Sequence, residues 1–459
     1  MRESLVQELI NKSIEKPEYY LENCHWYFSQ LQNSSAKIQG KTIKSIYHPY
    51  VLSWEEYEWI KEKTEYLWGI LEKTAKLLLR EKEVASFFEF PDSFTALLEV
   101  DPGYSTAIPI TRFDAFYNMG NIYFCEFNTD GTSGMNETNT MEECFLNTEL
   151  GKVLQEKYSL QQFELRQSLL DTLLENWRQF RKEHKTAPCI PDSKPNIAIV
   201  DFLDKATIAE FEALKNVFRS RGYDTMTCDP RDLTYQNGCL WHDSFRIDLV
   251  YRRAVTTELL ERYELIEDFL EAYRKSAFCM VGSFRSEAAH SKLVFTFLTS
   301  QKAKSYFTSE EINFIKTHLP ATFRLASKGT AALDRENLDE IIMDKNRYII
   351  KPHNAYGSQG LYMGKDCSQT EWEKHLKENM DTNYIVQQLI KVPEGSFVTA
   401  PGTTERLKIN LSPYLYGGKL RGFYTRVSNI DIITTARGGS LIPTFVAGIN
   451  NKQLLPASF

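Results

Sequence analysis

The sequence lacks the features that would place it in a membrane or on a secretory route. No apolar run is long enough to cross a bilayer, and residues 1–10 have helical periodicity without the apolar core of a signal peptide. The net charge of the 459 residues is −7, with no basic tail, so nucleic-acid binding is not expected. These absences favour a cytoplasmic enzyme or binding protein that has neither a membrane nor a nucleic-acid partner.

Short metal, redox and dinucleotide motifs are also missing. The eight cysteines include no C-x-x-C pair, which excludes a zinc knuckle and a thioredoxin-type motif. Scattered cysteines in a long chain are typical of buried thiols in a reducing compartment. The eight histidines show no metal-ligand spacing, so each is expected to be structural or at the surface. No G-x-G-x-x-G is present, so dinucleotide binding is not supported.

What the chain does have is a segment, 112–130, that predicts a β-hairpin around turn-forming residues 118–121. Alternation places Arg112 and Asp114 on one face of the first strand. On the second strand one face carries three polar residues, namely Glu126, Asn128 and Asp130, and Cys125 is expected on the other face. A three-residue loop would bring the two polar rows together, whereas a two-residue loop would put them on opposite faces.

The two carboxylates and the carboxamide of this hairpin indicate a cation site. Such groups on one sheet face repel one another or lack partners unless a cation joins them. Mg²⁺ prefers carboxylate oxygens together with waters and phosphates. The hairpin therefore predicts a Mg²⁺–phosphate site with an arginine beside it. A solvated strand face that carries an Arg–Asp pair is the alternative.

The predicted secondary structure differs between parts of the chain. Residues 1–90 and 137–187 have helical periodicity. Strands and a helix alternate between 196 and 252, which predicts a parallel sheet of Rossmann-like type. Its last strand is followed by Arg252, which is interpreted either as a substrate contact beside a cleft or as an ion-pair anchor.

The last part of the chain carries a possible phosphate loop. A strand at 348–351 ends in Lys351 and is followed by a small-residue loop that includes Gly357 and Gly360. Backbone N–H groups of such a loop can fold over phosphates, and the lysine would add charge. An ordinary hairpin loop is the alternative. The strand at 384–390 carries adjacent amides, a usual arrangement for contacting an adenine edge.

Taken together, these segments resemble the glutathionylspermidine synthase family of ligases. Arg112-Phe-Asp114 followed by Glu126-Phe-Asn128-Thr-Asp130 is similar to the R-F-D and E-Y-N-x-D signature of that family. Its members are circularly permuted ATP-grasp enzymes, in which the metal-binding strands precede the other ATP-grasp units. The same order is found here, and the resemblance spans roughly residues 100–445. No proline follows Asp130 as it often does in the family, so the substrate contacts are expected to differ.

The resemblance implies an α/β fold with α+β elements. It implies four units in order: a helical N-terminal region at 1–95, a permuted ATP-grasp segment with the metal-binding hairpin and long helices at 96–190, a Rossmann-like pre-ATP-grasp unit at 191–290, and an ATP-grasp nucleotide-binding and lid unit at 291–459.

The resemblance also implies roles for individual residues. Mg²⁺ would be bound by Asp114, Glu126 and Asn128, and Arg112 would be the catalytic arginine on the transferring phosphoryl group. ATP would be bound by the residues that match the family's nucleotide site, which are Lys292, Lys351, Gly357, Ser358, Gln359, Gly360, Gln387, Gln388, Leu389 and Arg426. Besides Arg252, the expected substrate contacts are Asp130, Thr132 and Ser133.

The implied function is an ATP-dependent carboxylate–amine (C–N) ligase. It would form an amide or peptide bond through an acyl phosphate and release ADP and phosphate. The acid would be a small-molecule, peptide or carrier-bound carboxylate, and its identity and that of the amine are left open. Two alternatives remain, a phosphotransferase acting on a small molecule and a non-catalytic nucleotide-binding homologue.

Overall fold

The computed structural model describes residues 2–185, 190–191, 194–204, 206–354 and 360–448. The first part is mainly helical, as predicted, and its elements are α1 (Arg2–Glu15), α2 (Pro17–Asn33), β1 (Lys37–Ile38), β2 (Lys41–Thr42), β3 (Tyr50–Ser53), α3 (Trp54–Arg80), α4 (Lys82–Ala85) and α5 (Asp92–Glu99). Helix α3 begins at a capping box, in which the Ser53 side chain accepts from the Glu56 N–H and the Glu56 carboxylate accepts from the Ser53 N–H.

The predicted hairpin is present, and the helical stretch after it is divided. The elements are β4 (Ile110–Asn118), β5 (Asn121–Asn128), α6 (Met135–Leu146), α7 (Glu149–Tyr158) and α8 (Leu165–Glu183). The sequence predicted one helical stretch over 137–187. It is interrupted at Thr148, whose side chain caps α7 by accepting from the Gly151 N–H, and at Ser159, which adopts a left-handed φ of 51°.

The next part contains the predicted parallel sheet. Its elements are β6 (Ile197–Val200), α9 (Ile208–Ser220), β7 (Thr225–Cys228), β8 (Thr234–Gln236), β9 (Cys239–His242), β10 (Phe245–Ile247), β11 (Leu249–Arg252), α10 (Thr256–Glu261), α11 (Glu267–Arg274) and β12 (Cys279–Val281). The strand order is β12-β11-β6-β7, and each neighbouring pair is parallel. Strands β6, β11 and β12 are buried at every position, as expected for a sheet covered on both faces. Strands β8–β10 form a separate antiparallel sheet that the sequence analysis did not predict.

The remaining elements alternate between short helices and antiparallel strands. They are α12 (Glu287–His290), α13 (Leu293–Leu298), α14 (Ser309–His318), β13 (Thr322–Arg324), α15 (Arg335–Met343), β14 (Tyr348–Pro352), β15 (Tyr362–Met363), α16 (Gln369–Glu378), β16 (Tyr384–Gln388), β17 (Glu394–Ala400), β18 (Thr403–Tyr416), β19 (Lys419–Ser428), β20 (Ser440–Ile442) and β21 (Thr444–Ala447). Strands β13-β16-β14-β15 form an antiparallel sheet, here called the Lys351 sheet.

The hairpin belongs to a sheet that joins distant parts of the chain. The order β20-β19-β18-β4-β5, with β17 also paired to β18, defines what we call the central sheet. Strand β4 pairs with β18, about 300 residues later in the chain. This pairing places polar residues of β18 and β19 beside those of the hairpin. Strand β21 pairs with β3 in the same way over a long separation. The protein is thus a mixed α/β structure with several sheets, and the four unit boundaries stay predictions.

Two expectations about the whole chain can be compared with the described residues. Six described cysteines are free, but Cys239 is disulfide-bonded, so the expectation of free thiols throughout is wrong for Cys239. Sequence spacing reveals only neighbouring cysteines, whereas a disulfide depends on proximity in the fold. Among the described helices, none combines the length and the hydropathy needed to span a bilayer.

Candidate active site

Four of the five polar residues of the hairpin lie together, as predicted, whereas Asp130 lies beyond the end of β5 and pairs with Arg252 instead. Arg112 in β4 pairs with Asn128 in β5, and Asp114 pairs with Glu126. Cross-strand partners share a face of the sheet, so the four side chains form one polar patch. The Asn128 amide donates to Asp114 Oδ1 at 3.3 Å.

This register depends on a β-bulge that was not predicted from the sequence. The loop has two residues, Met119 and Gly120, both with positive φ, and a two-residue loop alone would have separated the two polar rows. A β-bulge corrects the register, because Ala115 pairs with Phe124 while Cys125 has no partner across the ladder. Cys125 and its neighbour Glu126 line one and the same cleft. The prediction that Cys125 faces away is therefore wrong.

The polar patch forms one wall of a cleft of about 320 Å³ between the central sheet and the Lys351 sheet. Ten of the predicted site residues line it, namely Arg112, Asp114, Glu126, Asn128, Lys292, Lys351, Gln387, Gln388, Leu389 and Arg426. Gly360 is described but does not line this cleft, and residues 357–359 lie outside the described part of the chain. The cleft therefore joins the hairpin to most of the predicted nucleotide residues.

Two lysines approach the hairpin from the opposite side of the cleft. The Nζ atom of Lys292 is 3.0 Å from Glu126 Oε1, and Lys351 Nζ donates to the carbonyl of the bulge residue Cys125 at 3.2 Å. Burial would raise the pKa of Glu126, but Lys292 and Lys351 lower it to about 2. Burial also lowers the pKa of Lys351, which Glu126 partly offsets. The site thus holds a charged carboxylate between two buried cations.

The Asp114 carboxylate is held by side chains from two further strands. Its Oδ2 pairs with the guanidinium of Arg426 in β19, and its Oδ1 accepts from the hydroxyl of Ser412 in β18 at 3.2 Å. Arg426 also donates to Asn410 Oδ1 at 2.8 Å, and Asn410 accepts from Ser412 at 2.7 Å. Arg426, which was predicted to contact the nucleotide, is thus paired with a predicted metal ligand.

Asn410 and Ser412 were not identified from the sequence. A signal was present, because both are polar residues two positions apart in the second half of β18, 409–416, which is otherwise apolar and buried. Alternation places them on one face of β18. Only the pairing of β18 with β4 and β19 shows that this face meets Asp114.

Arg112 lies close to two aromatic rings. Its guanidinium carbon lies 6.0 Å from the ring centroid of Tyr414 and 5.0 Å from that of Tyr424. Its Nη1 donates to the Ser133 carbonyl at 2.8 Å, and its Nε lies 3.7 Å from Asp114 Oδ1. The Nε atom is buried and has no hydrogen-bond partner among the described residues. The two rings and the Ser133 carbonyl therefore hold the guanidinium, while its Nε donor stays near the Asp114 carboxylate without a hydrogen bond.

Much of the remaining lining of the cleft is apolar. The Gln387 amide donates to the Thr322 hydroxyl at 2.9 Å, and the N–H of Leu389 donates to the Arg347 carbonyl at 2.7 Å. Both groups are therefore already engaged within the protein. The apolar side chains that line the cleft are Phe116, Ile349, Leu361, Met363, Leu389, Ile390, Val392, Ile432 and Ile433.

Asp431 forms ion pairs with two lysines at the edge of the cleft. Asp431, in the segment between β19 and β20, lines the cleft and pairs with two lysines through its two oxygens. Lys365 follows β15 of the Lys351 sheet, and Lys408 lies in β18 of the central sheet. The carboxylate thereby joins the two sides between which the cleft lies.

None of the four predicted substrate residues lines this cleft. Asp130 pairs with the buried guanidinium of Arg252, and its Oδ2 accepts from the Thr256 N–H at 2.6 Å. The Thr132 hydroxyl donates to the Asn128 carbonyl at 2.9 Å, while Ser133 offers its carbonyl to Arg112. In the structure Arg252 is an ion-pair anchor. Substrate contact by these residues stays a prediction.

A second buried ion pair supports the segment after the hairpin. Glu210 Oε1 accepts from the N–H groups of Gly134 and Met135, at 2.9 and 3.0 Å, and so caps α6. Its Oε2 lies 3.1 Å from the guanidinium of Arg253. Glu210 was not identified from the sequence, because it lies in α9 and nothing in its local pattern indicates a cap on another helix.

Comparison with known proteins is informative about the fold alone. No protein-family model and no curated protein matches the chain. A glutathione synthetase-like effector of Globodera pallida, solved in its apo form, superposes with a TM-score of 0.56 at 13% identity and covers 96% of this chain and 97% of its own. A Methylobacillus flagellatus KT protein described provisionally as a γ-glutamylcysteine synthetase covers 80% of this chain and 83% of its own, at 11% identity and a TM-score of 0.38, which is too low to establish a common fold. The chain therefore has a fold like that of the glutathione synthetase-like effector.

Proposed function

We propose that the protein is an ATP-dependent carboxylate–amine ligase with a circularly permuted ATP-grasp architecture. The observation that carries this proposal is the cleft, in which Asp114, Glu126 and Asn128 face Lys292 and Lys351. Carboxylates opposite lysines are suited to hold a metal-bound triphosphate, because the carboxylates can ligate the metal while the lysines neutralise part of the phosphate charge. The order of segments, with the hairpin before the parallel sheet and the Lys351 strand, supports the permuted form and a Rossmann-like role for that sheet.

The donor set fits Mg²⁺. Asp114, Glu126 and Asn128 offer oxygen ligands, which suit a hard divalent cation. In the structure these carboxylates are paired with the cationic side chains of Arg426 and Lys292, so Mg²⁺ would bind in exchange for these partners. Bound there, Mg²⁺ would reduce the negative charge of the phosphates.

The proposed reaction has two steps. An oxygen of the substrate carboxylate attacks the γ-phosphorus of ATP, the bond to the bridging oxygen breaks, and ADP leaves. The amine nitrogen then attacks the acyl carbon, phosphate leaves, and the nitrogen loses a proton. Arg112, with its free Nε donor beside Asp114, is placed to neutralise charge on the transferring phosphoryl group. Lys351 is placed to neutralise charge on the nucleotide phosphates.

The acid and the amine are proposed only by class. The acid is a small-molecule, peptide or carrier-bound carboxylate, and the acceptor is an amine. The apolar part of the cleft would receive the adenine ring, beside Gln388 and Leu389. The acyl substrate would then approach the γ-phosphate from the side of Arg112 and Ser133.

Hydroxylamine trapping tests the proposal. The protein is incubated with Mg-ATP, hydroxylamine and a pool of carboxylic acids and peptides, and ADP, phosphate and hydroxamates are measured. Hydroxamate formed together with ADP is the expected result, because hydroxylamine intercepts an acyl phosphate. ADP with a stable phosphorylated product would establish the phosphotransferase instead. AMP in place of ADP would contradict the ATP-grasp mechanism. The Asp114→Ala variant is the control for activity that does not arise in the cleft.

A further inference from the structure

A second group of potential metal ligands lies outside the cleft lining. Asp130 follows β5, while Glu287 and His290 lie three positions apart in α12, on one side of that helix. Each of the three offers one ligand atom, and these atoms lie within 4.8 Å of one another. The Thr129 hydroxyl donates to the Ser286 carbonyl at 2.7 Å, which holds the end of the hairpin against the start of α12.

Two atoms of this group are buried without partners. Glu287 Oε2 and His290 Nδ1 have no hydrogen-bond partner among the described residues, and Glu287 is only 6% exposed. Buried polar atoms are nearly always satisfied, so such atoms point to a missing ligand. His290 also forms a hydrogen bond to the backbone of Phe127. A metal-binding histidine usually donates its second ring nitrogen in this way, which leaves the other nitrogen free for the metal.

The charges at this position also call for a cation. Arg252 is paired with Asp130, and Lys292 is paired with Glu126. Arg252 thus neutralises one member of the group, Asp130, while Lys292 is engaged by Glu126 outside it, and a charged Glu287 adds a further negative charge in a buried position. Such a charge is costly unless it gains a proton or a positive partner. The two occupants to compare are therefore a proton shared between Asp130 and Glu287, and a metal ion.

We propose that Asp130, Glu287 and His290 bind a divalent transition-metal ion of the Zn²⁺ class. One imidazole nitrogen and two carboxylate oxygens suit Zn²⁺ or Co²⁺, whereas Mg²⁺ favours oxygen ligands and waters. The ion would join the end of β5 to α12. Because α12 ends at His290, two residues before Lys292, the ion would also fix the position of that lysine relative to the hairpin. This inference does not depend on the proposed ligase activity.

Cobalt binding provides the test, because Co²⁺ has visible absorption bands that report on its ligands. The full-length Asp114→Asn/Glu126→Gln variant is stripped with a chelator and titrated with Co²⁺ without nucleotide, by calorimetry and by absorption. These two substitutions weaken the cleft as a competing site. We expect one Co²⁺ per chain, displaced by Zn²⁺ far more readily than by Mg²⁺. In the proton NMR spectrum of the Co²⁺ form, one hyperfine-shifted imidazole N–H should be present.

Ligand variants identify the site. In the same background, Glu287→Gln and His290→Gln should each lower the Co²⁺ affinity at least about tenfold. The matched control is Glu142→Gln, since Glu142 is also a buried helical glutamate with an unpartnered oxygen but is not part of the cluster. It should leave Co²⁺ binding unchanged, and circular dichroism verifies that each variant is folded.

Three outcomes would overturn the proposal. The first is a lack of stoichiometric Co²⁺ binding, and the second is unchanged Co²⁺ affinity in folded Glu287→Gln and His290→Gln. The third is a Co²⁺ form whose NMR spectrum has no shifted imidazole signal. This third outcome is measured without the ligand variants, so it decides the question even if they fail to fold. Any of these would favour the shared proton. Failure of the ligase proposal is distinguishable, because hydroxamate formation is measured separately and the Co²⁺ titration contains no nucleotide.

Discussion

The guanidinium of Arg426 is paired with the carboxylate of Asp114 across β18, with Asn410 and Ser412 as shared hydrogen-bond partners. Asp114 is therefore neutralised by a side chain of the protein. A divalent cation that binds to Asp114 has to compete with this guanidinium. Arg426 and the proposed metal are thus expected to exclude one another at Asp114, and metal binding would free Arg426 to contact the phosphates of the proposed nucleotide.

Removal of this competitor should strengthen metal binding without nucleotide. In Arg426→Gln, the affinity for Mn²⁺ should rise at least about tenfold, because an adjacent charge is typically worth one or more pKa units. Electron paramagnetic resonance measures free Mn²⁺, in a Glu287→Gln background that removes the proposed second site. Arg421→Gln, on the same strand but outside the cleft lining, is the matched control. An unchanged Mn²⁺ affinity in Arg426→Gln would show that Arg426 and the metal do not compete.

Loss of the Glu126 charge should abolish turnover but leave the fold intact. Glu126→Gln keeps the side-chain shape and removes the charge that faces Lys292 at 3.0 Å. Hydroxamate formation should fall at least about 10²-fold, the usual cost of losing one electrostatic group at such a site. Glu394→Gln is the control, because Glu394 pairs with Arg406 at 3.4 Å away from the cleft. Activity above half of the wild-type value in Glu126→Gln would contradict the assignment.

The bulge residue offers a probe of cleft occupancy. Burial, with a smaller contribution from Asp114, raises the pKa of Cys125 to about 12. Its alkylation at neutral pH should therefore be roughly 10³-fold slower than that of an ordinary thiol, and Mg-ATP should slow it further by filling the cleft. Mass spectrometry after iodoacetamide treatment measures both effects. Cys24, in α2, should show no nucleotide dependence, and equal protection of both cysteines would refute occupancy of this cleft.

A buried glutamate in α6 should make stability depend on pH. Burial raises the pKa of Glu142 well above its ordinary value, so its stabilising contribution is complete below the unfolded pKa and is lost as pH rises. Between the two pKa values the wild type loses about 1.4 kcal/mol per pH unit relative to Glu142→Gln. Urea unfolding of both proteins at pH 4.5 to 7.5 measures the difference. A difference in free energy of unfolding that does not grow with pH would contradict this.

Local alternation was sufficient to predict much of the site. The facing pairs Arg112–Asn128 and Asp114–Glu126, the strand that ends near Lys351 and the buried parallel strands all follow from patterns of a few residues. The hairpin illustrates the limit of such reasoning. Its loop has two residues, one fewer than the loop predicted from the facing polar pairs. The extra residue at Cys125 restores the register that these pairs need. A bulge of this kind leaves no clear sign in the residue pattern.

The parts that were missed depend on contacts between distant segments. Asn410 and Ser412 contribute to the site only because β18 lies between β4 and β19. Glu210 caps a helix from another part of the chain, and Glu287 meets Asp130 only in the folded protein. Periodicity and spacing describe one segment at a time. They could not reveal these pairs, which arise from tertiary packing.

The bridge formed by Asp431 has a consequence for how ligands leave the cleft. The Asp431 carboxylate pairs with Lys365 on one side of the cleft and Lys408 on the other. Ion pairs therefore connect the two sides at the rim of the cleft. Dissolved ions screen partly exposed charges but scarcely affect apolar contacts. The rim should therefore loosen as ionic strength rises while the core beneath it stays packed. Salt would then shorten the residence time of a bound ligand without unfolding the protein.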